Sequence, residues 1–105
     1  MAKYNREMIG SPKSQGKDEE IAYTYTVPAA WGAPGVTTFK AYDITDNAYT
    51  DVTATVLIGA GSVLGQVITL PLLKLLTAGH VYRIEPLFSA SGNKCEPFLI
   101  VHAEN

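Results

Sequence analysis

Cysteine is almost absent from this chain. Cys95 stands alone, so no internal disulfide can form and the fold must rest on packing. Charge is scarce as well: 17% of the 105 residues are charged, and ten acidic against eight basic side chains leave a formal net charge of −2. A phosphate backbone asks for a clustered basic face, so nucleic acid is not an expected partner. The opening MAKYNREMIG carries charges but no apolar stretch of the kind a secretory signal requires. The expectation is a chain made and kept in the cytoplasm until it is assembled. The most apolar stretch, Val56 to Leu76, is about as long as a membrane span but is broken by Gln66, Pro71, Lys74 and three glycines. It reads as two strands and a corner, with no membrane partner. No long segment repeats with a helical period.

What is present is a hydrophobic share of 47%, enough for one core in a chain of single-domain length. Met1 to Glu20 contains Gly10, Pro12, Gly16 and the charged cluster Lys17 to Glu20, without apolar periodicity. It reads as an extended N-terminal arm, residues 1–20, ahead of a domain at 21–105. In the arm Tyr4, Met8 and Ile9 are the sizeable apolar groups, too sparse to fold against their own domain, and are candidate partner contacts. Ile21 to Val27 alternates with period two in strand-favouring residues. Pro28 to Gly35 is a loop presenting Trp31, a further candidate contact, and Val36 to Tyr42 resumes strand composition.

Beyond the polar turn at Asp43 to Asp51, alternation predicts a strand over Val52 to Ile58. Gly59-Ala60-Gly61-Ser62 then reads as a hairpin turn with a return strand from Val63 to Leu70. Leu72 to Leu76 has room for one helical turn. Strands near Val81 to Phe88 and Cys95 to Val101 are joined across Ser89 to Asn93, and Pro86 and Pro97 must each mark a bulge, an edge or an outward-facing amide. Six or seven short strands separated by turns describe an all-β sandwich of the immunoglobulin or fibronectin type III kind.

Leu76-Thr77-Ala78-Gly79-His80-Val81-Tyr82 is the most specific local pattern. It resembles the tyrosine corner of Greek-key sandwiches: Leu76 packs, Gly79 permits the tight turn, and Tyr82 buries its ring while its hydroxyl returns a hydrogen bond to the upstream backbone. The remaining candidates for chemistry have plainer readings. Gly59-Ala60-Gly61 with Gly65 lacks the spacing and the following helix of a dinucleotide loop. Asp43, Asp46, Asn47 and Asp51 lack EF-hand spacing and read as turn residues, so no metal site is assigned. His80 and His102 read as surface or cap residues, Cys95 as a small hydrophobe, and Lys17 to Glu20 as a solvated cluster. No nucleophile and base pair stands out, so neither catalytic residues nor a cofactor are expected.

The stretch from Lys17 to Glu104 resembles small β-sandwich proteins of tailed-phage structural gene clusters. Its carriers are Glu20-Ile21-Ala22-Tyr23-Thr24, Trp31-Gly32, Asp51-Val52-Thr53, Val67-Ile68-Thr69-Leu70-Pro71, Leu76-Thr77-Ala78-Gly79 with Tyr82-Arg83, and Ser91-Gly92-Asn93 with Glu96. The resemblance implies a virion component made in the host cytoplasm, a capsid decoration protein or a neck, tail or fibre adaptor. Its partners would be other virion proteins, with a homo-oligomer left open, and the arm would clamp a neighbour. The rival of a different class is a carbohydrate- or ligand-binding module using Trp31, Tyr42 and Tyr49 as stacking faces; a hydrolase built from distant residues ranks third.

Overall fold

A computed structural model describes residues 6–35 and 37–105; Tyr4, expected to contact a partner, lies outside them. The chain is mostly β. Its strands are β1 (Lys13–Gly16), β2 (Thr24–Thr26), β3 (Thr37–Asp43), β4 (Thr50–Asp51), β5 (Leu57–Ile58), β6 (Ser62–Leu64), β7 (Val67–Thr69), β8 (Leu72–Leu73), β9 (Val81–Ala90), β10 (Asn93–Cys95) and β11 (Leu99–Glu104). One large sheet runs β1-β11-β9-β3-β4, with β10 also on β9; a second runs β2-β7-β6, and β5 pairs with β8. The core lies between the large sheet, which contributes Ala41, Tyr82, Ile84, Phe88, Leu99 and Val101, and the smaller elements, which contribute Val56, Ile68 and Leu73.

The ten-residue β9 organises the fold, because β3 pairs along one side of it and β10 and β11 along the other. Cys95 opposite Phe88 and Leu99 opposite Ile84 belong to one continuous register, which sets Pro97 opposite Pro86. Neither proline has an N–H to donate, so the ladder is interrupted where both would be asked for one. Both side chains are fully buried there. Two strands that read as one in register are thus divided by paired prolines, at the place the residue types require.

The arm is a correction. Residues 6–16 do not stand away from the domain but run beside β11: Glu7 bridges Phe98 in parallel, and β1 pairs in parallel with Val101 to Glu104. Between these contacts three extra residues loop out, and the Ser11 hydroxyl accepts the Ile100 N–H at 3.0 Å in place of a ladder partner. Met8, expected to reach a neighbour, is 6% exposed in the domain's own core. Ile9, on the looped-out residues, is fully exposed. Sparse apolar residues sufficed because the anchor is polar. Gln15 is completely buried, its Nε2 donating to the carbonyls of Glu19 at 2.9 Å and Leu73 at 2.8 Å while its Oε1 accepts from the Tyr23 hydroxyl at 2.9 Å. An alternation test weights Gln15 as a surface residue and misses this.

The strand expected over Val52 to Ile58 is instead a helical turn, α1 (Thr53–Val56), followed by the two residues of β5. Asp51 Oδ1 accepts both the N–H and the hydroxyl of Thr53, a local bond that turns the backbone and outcompetes strand propensity. Thr53 Oγ1 then accepts the Ala41 N–H at 2.9 Å, closing the end of the β3–β4 ladder. The hairpin is also displaced. Its turn is Gly65-Gln66, with Leu64 opposite Val67 and Gly65 at φ 60°, as a two-residue turn with glycine first requires. Gly61 serves close approach rather than turning: a Cβ there would stand 2.4 Å from the Phe39 ring. Leu72 and Leu73 pair with β5 rather than forming a helical turn.

Candidate binding face

Alternation along β9 sends Tyr82, Ile84, Pro86, Phe88 and Ala90 inward and Arg83, Glu85, Leu87 and Ser89 to the opposite face. Register places Tyr42 beside Arg83 and Lys40 beside Glu85 on β3, with Ile100 flanking Arg83 on β11. The outward face is therefore built from three neighbouring strands. At its centre the Arg83 guanidinium lies 3.8 Å from the centroid of the Phe98 ring and 6.0 Å from that of Tyr49. Tyr49 in turn packs on Tyr42 with ring centroids 4.4 Å apart, and Arg6 approaches Phe98 from the far end at 5.8 Å. Cations and rings thus alternate in a row across the sheet, each contact favourable through the ring quadrupole.

The charges in this row are matched locally. Glu85, 6% exposed, accepts from Arg83 Nε and, at 2.6 Å, from the Tyr49 hydroxyl. Arg6 pairs with Glu96 at 3.1 Å and Lys40 with Asp51 at 3.6 Å. Burial, and then the bond to Glu85, push the Tyr49 phenol above its ordinary value, so it stays a donor at neutral pH. Tyr49 is 57% exposed and Leu87 37%. The result is an electrically balanced surface of tyrosine, arginine and phenylalanine, residue types enriched at protein–protein contacts, with the exposed Leu87 beside them. Sequence reading named Tyr42 and Tyr49 as loop stacking faces. It missed Arg83, Glu85 and Phe98, whose signal was the outward parity of a strand otherwise apolar on its inner face.

Of the residues singled out in sequence, Trp31 lies elsewhere. It is half-buried and borders a cleft of about 380 Å³ with Ala30, Ala90, Ser91, Asn93, Lys94 and Cys95. The Gln66 amide holds that loop by donating to the carbonyls of Val27 and Gly32, both at 3.1 Å. At the corner, Leu76 is 5% exposed, Gly79 has φ 85°, and buried Tyr82 accepts the Thr77 N–H on its hydroxyl at 2.9 Å. Together these three residues form the turn into β9.

His80, read as a surface residue, has a partner: its Nδ1 is 2.7 Å from Asp43 Oδ2. Burial would raise the Asp43 carboxyl, but hydrogen bonds from the Thr45 hydroxyl, the His80 ring and the Thr45 N–H outweigh it and hold the group below its ordinary value. Thr45 Oγ1 accepts the Val81 N–H at 3.0 Å, so this triad of side chains ties a turn to the start of β9. Among the described residues no group of three or more histidine, cysteine or acidic side chains is placed to hold a metal ion, and no helix is long and apolar enough to cross a membrane. Compared with protein-family models, curated proteins and solved structures, the chain matches none.

Proposed function

We propose that this chain is a non-enzymatic virion structural protein of the immunoglobulin type, docked on other virion proteins through the outward face of its large sheet. The strand order supports the type: β11-β9-β3 follows the G-F-C sequence of such sandwiches, β4 extends it, and β2-β7-β6 follows B-E-D. A corner tyrosine near the start of β9 stands where the F-strand tyrosine of that architecture stands. The observation that carries the docking role is the row of Arg6, Phe98, Arg83, Tyr49 and Tyr42. It spends aromatic and arginine side chains on a face outside the core and leaves Tyr49 and Leu87 open. The virion setting, as capsid decoration or as neck or tail adaptor, comes from the resemblance of the sequence.

The ligand-module alternative called for Trp31, Tyr42 and Tyr49 to gather at one end. Trp31 borders Ala90 while Tyr42 neighbours Arg83, a separation of roughly 20 Å along β9, so no shared stacking platform forms. The test is to purify phage particles from a culture producing the chain and count its copies by quantitative mass spectrometry. A fixed copy number that falls with Leu87→Lys supports the proposal; hundreds of copies mean capsid and a few mean neck or tail. Absence from particles overturns the virion setting, and unchanged incorporation of Leu87→Lys overturns the face.

A further inference from the structure

The strand β6 ends its sheet and carries neither charge nor proline. All three of its residues are exposed, Leu64 at 85% and Val63 at 39%, with Val67 beside them at 37%. Natural edge strands are blunted by charge, by proline or by brevity, and β6 has only the last of these, its three-residue length. The edge strand β1 contains Lys13 and is followed by Lys17 to Glu20, and β4 ends in Asp51. Around β6 there is no charged residue at all between Asp51 and Lys74. Proline is absent from the hairpin Ser62 to Thr69 as well.

The backbone specifies what fits. Leu64 and Val67 flank the two-residue turn and form the hydrogen-bonded pair there, and such pairs alternate along an antiparallel ladder. The N–H and C=O of Val63, opposite Ile68, therefore point away from β7 toward the open edge. We infer that this edge pairs with the same edge of a second copy, antiparallel about a two-fold axis at Val63. Val63 then exchanges two backbone hydrogen bonds with its counterpart, and Ser62 comes opposite Leu64 of the other copy. A two-fold axis brings like against like. A charged edge would repel itself there, whereas this uncharged edge does not, and the exposed Val63 and Leu64 lose water on both copies. Three residues make a small interface, so the association is a weak one that high local concentration, as in an assembly, completes. It uses a different sheet from the docking face and stands or falls separately from it.

Sedimentation of the full-length protein over a wide concentration range tests this, together with backbone amide shifts. The expected result is a monomer–dimer equilibrium whose shifts centre on Gly61 to Gly65. Val63→Pro removes only the outward N–H, a position where an edge strand tolerates proline, and Leu64→Lys puts a charge at a fully accessible site. Each should weaken dimerisation roughly tenfold or more, and Leu64→Lys should melt as the wild type does. A wild-type protein that stays monomeric at millimolar concentration overturns the inference, as does a dimer that survives Leu64→Lys.

Discussion

Leu87 and Phe88 are neighbours in β9 yet face opposite worlds. Phe88 is 1% exposed among Ile84, Leu99 and the Tyr25 ring, whose centroid is 6.1 Å away. Leu87 is 37% exposed on the face that carries Arg83 and Glu85. The period of two turns one strand into two surfaces, an apolar one that holds the sheets together and a mixed aromatic and charged one directed away from the core. A side chain's contribution to stability and its availability for binding are thus separated by a single residue step. Substitutions on the two faces should have separable effects.

The sharpest break of the inner face is Phe88→Ala, expected to cost about 3–5 kcal/mol in a denaturant titration, because it opens a cavity between the sheets. Next comes Gln15→Ala. It leaves the Leu73 and Glu19 carbonyls and the Tyr23 hydroxyl without their buried partner, a loss of about 2–3 kcal/mol. A melt unchanged from wild type would mean that the 6–16 segment is not held as described. Tyr82→Phe removes the hydroxyl that accepts the Thr77 N–H and should cost about 1–2 kcal/mol; no measurable change would remove the corner from the stabilising contacts.

The smallest effect is tied to pH. Asp43 has a depressed carboxyl value in the folded state, so the stability it contributes is present above the ordinary carboxylate value of 3.8 and is lost as pH falls through the lowered folded value. The stability gap between wild type and Asp43→Asn should therefore close as the solution is acidified below that range. A gap that persists in acid, measured by melts across the series, would show that the Thr45 and His80 bonds do not favour the charged form.

Much of this architecture was legible in the residues. A period-two run located β2, strand composition and turn signals located β3 and β9, and the leucine, glycine and tyrosine at 76, 79 and 82 marked the turn before β9. The prolines at 86 and 97 predict a bulge, an edge or an outward-facing amide, and register instead sets them opposite each other inside the sheet. What stayed hidden shares one physical cause, a polar group whose partner is distant or whose local bond overrides a pattern. Gln15 looks like a surface residue until Leu73, far along the chain, supplies its acceptor. Asp51 capturing Thr53 turns an alternating Val52 to Ile58 into a helical turn. The candidate face was hidden similarly: nothing in the sequence sets Arg83 and Glu85 apart until Phe98 and Tyr49 close around them.

The most direct test of the separation between the two faces is the copy number of Leu87→Lys in purified particles, read beside its melting curve. The account predicts a melt within about 0.5 kcal/mol of wild type, as for a surface substitution away from special features, together with a severe loss of incorporation. Incorporation at the wild-type level by a normally folded Leu87→Lys protein would contradict it.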